Sequence, residues 1–165
     1  MVTPIARLLV VFAVSGQRLA VAAEAVAEIV HEPALLHPPA MPPVLAGLLQ
    51  LRGQVVPVVR PDRLLGLPPP APAPYRVLLV LSGAAAAPWA LLADHAEAVC
   101  EAGELAQPPP DIAFDDCIVA VAALPGGAVP VLSVERLLRR REIEALTSFA
   151  RRAADRWEEF SLGHE

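Results

Sequence analysis

Three groups of side chains in this 165-residue chain are of types that could do chemistry. Asp94, His95 and Glu97 crowd into one short stretch and read as an acid/base group. Asp115-Asp116 reads as a pair of metal ligands, and Glu28 with Arg52 reads as an ion pair. A catalytic site needs such groups to converge in a pocket with a nucleophile, a phosphate-cradling loop or a metal. No nucleophile, glycine-rich loop or metal-ligand spacing stands near Asp94, His95 and Glu97, while His31 and His37 sit in a proline-rich loop. Cys100 and Cys117 form no CxxC or zinc pattern and read as buried free thiols of a reducing cytosol, a disulfide being the unsupported alternative. The expectation is a chain with no enzymatic activity, no metal and no cofactor.

Arg52 is a different case. It stands between Leu51 and Gly53, where an unpaired buried charge would be costly, so it must be paired or at the surface. Glu28 is the expected partner and Asp62 the competitor; the plain alternative is a solvated turn arginine.

The elements around Arg52 occur twice. "QLRGQVVPVVRPDRLLG" begins at Gln50, and "AVPVLSVERLLR" begins at Ala128. Val56-Pro57-Val58-Val59 matches Val129-Pro130-Val131-Leu132, and Asp62-Arg63-Leu64-Leu65 matches Glu135-Arg136-Leu137-Leu138. Earlier elements match as well, with offsets of 69 (Arg7 to Arg76), 70 (Glu24 to Asp94) and 73 (Pro57 to Pro130). This predicts an internal duplication rather than a solenoid, which needs three or more units. Both copies keep a turn glycine, Gly53 and Gly126, but Arg52 becomes Pro125 in the second.

Each copy predicts four or five short strands of Val and Leu bounded by Gly and Pro. The unbroken apolar runs 8–14 and 77–81 predict burial on both faces. Pro57 and Pro130 inside strand-like runs predict edge positions or bulges, because proline has no N–H to donate. The expected architecture is mainly β: two small barrels sharing a core. The boundaries are 7–66 for the first repeat, 67–75 for a proline-rich linker and 76–139 for the second, together one domain over 1–140. A helical extension follows over 141–165. From Ser133, an expected N-cap, a helix can start. Beyond it Ile143, Leu146, Ala150, Ala153, Trp157 and Phe160 form a helical stripe, which either packs on the chain's own barrel or docks on a partner helix.

Composition narrows the function further. The net charge of −5 and the 4% aromatic content disfavour nucleic-acid binding. The opening "ARLLVVFAVSGQRLAVAAEA" imitates a secretory signal, but Arg18 interrupts it and the apolar run is short; a hairpin turning at Ser15-Gly16-Gln17 is the better reading. The uncharged stretch 77–93 is broken by Ser82-Gly83 and Pro88, which predicts two strands around a turn and no membrane insertion.

"GLLQLRGQVVPVVRPDRLLG", residues 47–66, resembles the signature of the CheW domain family. "FAVSGQRLAVAAEAVAEIV", 12–30, is similar to the family's opening, and "LLADHAEAV", 91–99, looks like its later Val-Asp segment. The resemblance covers about residues 7–139. It implies two SH3-like five-stranded β-barrel subdomains around a shared core, and a cytoplasmic adaptor associated with membrane-bound chemoreceptor arrays. The adaptor would link chemoreceptor cytoplasmic tips to the regulatory domain of a CheA-type histidine kinase. It also implies that Arg52 and Glu28 lie near the receptor-facing groove, with Val26, Ile29, Leu48, Leu51 and Val55 supplying apolar contacts, ordinary core being the alternative for each. Strand 119–124 is the implied kinase contact. Three positions depart from the pattern: Gln50 for Asn, Arg60 for Asp, and Ala96 for Val. Arg60 reverses a charge beside the motif. That leaves a second reading, an assembly or localisation factor of the same fold, for instance in a pilus system, which keeps barrel pairing without binding receptors.

Overall fold

The computed structural model describes residues 8–70, 75–82, 88–110, 117–137 and 140–162. Its first half contains β1 (Leu8–Val14), β2 (Gln17–Ala22), β3 (Val26–His31), β4 (Leu45–Leu51), β5 (Gln54–Val59) and the short α1 (Pro61–Leu65). Its second half contains β6 (Val77–Leu81), β7 (Trp89–Ala93), β8 (His95–Glu101), β9 (Leu105–Ala106), β10 (Ile118–Leu124), β11 (Gly127–Leu132), α2 (Val134–Leu137) and α3 (Arg140–Leu162).

The strands form a six-stranded sheet, β8-β1-β2-β11-β10-β9, and a five-stranded sheet, β3-β6-β7-β5-β4. Neither sheet belongs to one half. The hairpin β1–β2 pairs with β8 and β11 of the second half, and the hairpin β6–β7 pairs with β3 and β5 of the first. This corrects the expected pair of barrels, one per repeat: each sheet is open among the described residues, and each is completed by a hairpin from the other half. The same pairing pattern occurs twice. Irregularities recur with it, at Ala27 and Glu97 and again at Ala46 and Val119, where one extra residue bulges the strand.

Alternation sorts the side chains of each strand between two cores. Val10, Phe12 and Val14 of β1 join Val77, Leu79 and Leu81 of β6 in a core shared by the two sheets. The intervening Leu9 and Val11 face a second cluster with Val129 and Val131, and Leu78 and Val80 a third with Val56 and Val58. Hence β1 from Leu9 and all of β6 are buried on both faces, as their unbroken apolar runs predict. The stretch 8–22 forms the expected hairpin, with Val14 opposite Gln17, and 77–93 supplies two paired strands, with Val77 opposite Ala93.

The prolines behave differently from expectation. Pro57 and Pro130 lie neither on edge strands nor at the bulges, since β5 and β11 are interior. The parallel ladders to β7 and β2 start one residue later, at Val58 and Val131, so each proline stands where its strand has a partner on one side only. A missing N–H is tolerated at such a position. Beyond β5, Pro61 opens α1 and Gly66, at φ 65°, closes it, the usual order of these residues at helix ends.

The apolar stripe of α3 packs on the chain itself. Leu146 and Ala150 are buried in the shared core, with Phe149 and Ala153 against it. The side chains of Ile143 and Phe160 lie outside the described residues. Leu146→Ala should therefore destabilise the fold by about 2–4 kcal/mol, and deletion of 142–165 by more, read as a shift in urea midpoint. A fragment of residues 1–70 should show no cooperative unfolding alone, because its β1–β2 hairpin lacks the strands that complete the sheet; a sharp thermal transition would contradict the exchange.

Candidate functional site

Arg52 owes its position to a hairpin tip. Leu51 opposite Gln54 is the last pair of β4 and β5, which leaves a two-residue loop, Arg52-Gly53. Both have positive φ, 51° and 80°, the signature of a type I′ turn, whose twist suits a hairpin and which favours Asn-Gly. A long side chain in this region costs of order 1 kcal/mol. A Cβ on Gly53 would meet nothing, so its glycine serves the backbone angle and not space. The arginine stands out from the tip with 79% of its side chain exposed, and its Nη2 donates to Oε2 of Glu28 on β3 at 2.9 Å. The other carboxylate oxygen of Glu28 is buried and has no hydrogen-bond partner among the described residues.

Asp62, the competitor for Arg52, belongs to Arg60. Arg60 donates from Nη2 and Nε to the two carboxylate oxygens at 2.8 and 3.3 Å, and Asp62 is only 5% exposed. The Arg60 departure therefore does not place a free positive charge beside the motif. It is neutralised two residues away, at the start of α1.

The apolar residues expected around Arg52 divide. Ile29 is exposed, at 42%. Leu48 is fully buried in the shared core, and Val26 and Val55 are half-buried against it. Leu51 packs toward the third cluster, on the opposite face of the sheet. On β3, Glu28 pairs with Val80 of the third cluster and Ile29 with Leu79 of the shared core, so the two side chains point to opposite faces of the sheet, and Leu48 holds the sheet from within.

The second copy builds its turn another way. Leu124 opposite Gly127 leaves Pro125-Gly126 as the loop, with Gly126 at φ 94°. Proline fixes a negative φ, so the first turn position cannot be left-handed and no counterpart of Arg52 fits that backbone. A guanidinium reaches this tip nonetheless. Arg18 on β2 donates to the Pro125 carbonyl at 3.1 Å and to Glu97 on β8 at 2.9 Å. A Cβ on Gly126 would sit 3.0 Å from Arg18 Nη1, so this glycine also makes room. The Arg18–Glu97 pair escapes sequence reading because its members are 79 residues apart. Its recoverable signal is the offset of 70, which places Glu97 one residue before the match of Glu28.

The rival acid/base group is absorbed into the same scaffold. The Asp94 carboxylate accepts from the Gly16 N–H in the β1–β2 turn, and Glu97 takes Arg18, with His95 at 3.9 Å. Among the described residues no cluster of three or more His, Cys, Asp or Glu could hold a metal, and Asp115-Asp116 lies outside them. Cys100 and Cys117 are not joined in a disulfide, and the Cys117 thiol donates to the Arg136 carbonyl at 3.1 Å. No described helix is long and apolar enough to cross a membrane.

Comparison with known proteins is consistent with this geometry. A family model for the CheW-like domain matches residues 8–142. Among solved structures, the crystal structure of the scaffolding protein TtCheW from Thermoanaerobacter tengcongensis is similar, with a TM-score of 0.72 at 18% identity, covering 83% of this chain and 90% of that one. No curated protein sequence matches the chain.

The two arginine pairs should separate in stability measurements. Arg52→Asn should leave the fold level or raise its stability by up to about 1 kcal/mol, since Asn suits the turn and an exposed ion pair contributes about 0–1 kcal/mol. Asp62→Ala should cost about 1–3 kcal/mol, because it leaves the Arg60 guanidinium partly buried and unpaired. Urea titration reads both; a larger loss for Arg52→Asn would mean that the hairpin tip serves the fold.

Proposed function

The chain belongs to the CheW-like domain family, and we propose that it acts as a non-enzymatic signalling adaptor that couples chemoreceptor cytoplasmic tips to a CheA-type histidine kinase. The observation that carries this reading is the hairpin tip. A long cationic side chain is kept in a backbone conformation that favours Asn or Gly, and it is exposed rather than packed. Its partner Glu28 keeps 26% of its side chain exposed, so the tip presents a positive and a negative charge side by side. Charge complementarity of this kind sets orientation and selects partners. In this reading Arg52 and Glu28 meet the receptor, Ile29 is a further exposed contact from the other face of β3, and Val26, Leu48, Leu51 and Val55 are the packing that holds the sheet.

The recurrence of strand pairing, bulges and sequence offsets supports an internal duplication, in which the second half offers a related but chemically different surface. The half-buried outer residues of β10, Val119 and Val121, are the proposed kinase contact. Function on the cytoplasmic side, at receptor arrays, follows from the adaptor role.

Calorimetry tests the proposal. The purified protein should bind the regulatory domain of a CheA kinase from the same genome and a receptor-tip fragment. Arg52→Glu should weaken receptor binding by at least about tenfold, about 1.4 kcal/mol, while kinase binding stays level. Val121→Glu should do the reverse. Unchanged receptor affinity in Arg52→Glu would reject the tip as the receptor contact, and binding of the kinase domain alone would favour an assembly factor.

A further inference from the structure

We propose that the cleft between α3 and the segment 36–40 is a docking groove for a segment of a partner protein that sets an apolar side chain beside carboxylates. The cleft has a volume of about 570 Å³. Leu36, Pro38 and Pro39 form one wall, and Phe149, Ala153 and Trp157 of α3 form the other. A smaller cavity of about 70 Å³ continues past Trp157, between Ala154 and Glu158 on the helix and Gln50, Gly53 and Val55 on the hairpin. The two share Leu36, Leu48, Ala153 and Trp157, so they form one continuous depression beside the helix. From Phe149 to Trp157 it spans about 12 Å of helix rise, enough for about two turns of a docked helix.

Its walls are held in place. Leu36 and Leu48 exchange backbone hydrogen bonds of 2.8 and 2.9 Å, which ties the proline lip to β4. Gly47 permits the close approach, since a Cβ there would lie 2.8 Å from that of Leu35. The opposite wall is anchored through Leu146 and Ala150 in the core. A pre-shaped groove loses less ordering entropy on binding. Trp157 is half exposed, at 49%, and tryptophan and arginine are the residue types that dominate interface energetics.

Charge identifies the occupant. Arg152 and Arg156 line the groove one turn apart on α3, both exposed. Arg18, Arg52, Arg60 and Arg76 each have a carboxylate within 4.0 Å. Arg63, Arg151, Arg152 and Arg156 have none among the described residues, and of these four only Arg152 and Arg156 line the groove. Like charges at this spacing repel, and a carboxylate between them would relieve the repulsion. The chain as a whole carries −5, so this cationic rim opposes its general field and selects an acidic partner. The groove adjoins the Arg52 tip at Gly53 but uses other charges, so the two surfaces are testable apart.

The test uses the full-length protein and two fluorescent helical peptides of about sixteen residues, long enough for four turns. One carries a leucine stripe flanked by glutamates; its twin has lysine for every glutamate. Fluorescence anisotropy should show the acidic peptide binding at least about tenfold more tightly than the basic one, with salt weakening the preference. Arg152→Glu with Arg156→Glu should reverse the preference, and Arg152→Gln with Arg156→Gln should abolish it. Melting curves check that these exposed substitutions preserve the fold. Equal binding of both peptides, no binding of either, or a preference indifferent to the double reversal would overturn the proposal. Binding of decanoate without binding of either peptide would overturn it in favour of a small-molecule cleft.

Discussion

Val58 and Val59 of β5 pair in parallel with Ala90 and Leu91 of β7, and Val131 and Leu132 of β11 pair in parallel with Ala20 and Val21 of β2. These two short ladders, with the β1–β8 and β3–β6 pairs, tie the halves of the chain into each other's sheets. A parallel pair cannot be joined by a tight hairpin, so each ladder requires a long connection. The proline-rich segment after α1 begins one of them, and it is fastened where Ser15 of the β1–β2 turn donates to the Pro68 carbonyl. Everything else depends on this exchange. The shared core exists because β1 and β6 have sheet neighbours on both sides and apolar neighbours on both faces.

The exchange also explains how one backbone pattern carries two kinds of surface. Bulges recur at matching places, so the strands bend alike in both sheets. The hairpin tips do not match. One is a left-handed Arg-Gly turn that presents its own charge to Glu28, and the other is a Pro-Gly turn that receives Arg18 from β2. The difference is set by a single residue, because proline and a left-handed turn position are mutually exclusive. The resulting pairs differ in freedom: Arg52 stands mostly in solvent, while Arg18 and Glu97 are each held by neighbours.

α3 packs against the five-stranded sheet rather than trailing from it. By filling the space beside β5 it buries Leu146 and Ala150, sets Trp157 and Val55 on the walls of one cavity, and leaves a groove whose far end meets the Arg52 tip. Stability and the shape of the surface are coupled here, since the residues that anchor the helix also form the back of the groove.

Much was legible from the chain alone. Apolar runs without polar interruption required strands buried on both faces, near-constant offsets required repeated elements, and the Leu-Arg-Gly motif marked a turn whose arginine had to be paired or at the surface. Local chemistry determines these features, because turn geometry and strand alternation act over a few residues. The tertiary structure decided matters that depend on distant partners. It chose Glu28 over Asp62 for Arg52 and gave Asp62 to Arg60. It placed Pro57 and Pro130 on interior strands by ending the parallel ladders one residue short of them. It brought Arg18 to Glu97, and it assigned each repeat's first hairpin to the other repeat's sheet. Pairing across so many residues leaves little local signature, because any apolar strand of the right length satisfies the same alternation, and the choice of neighbour is made by the packing of the whole.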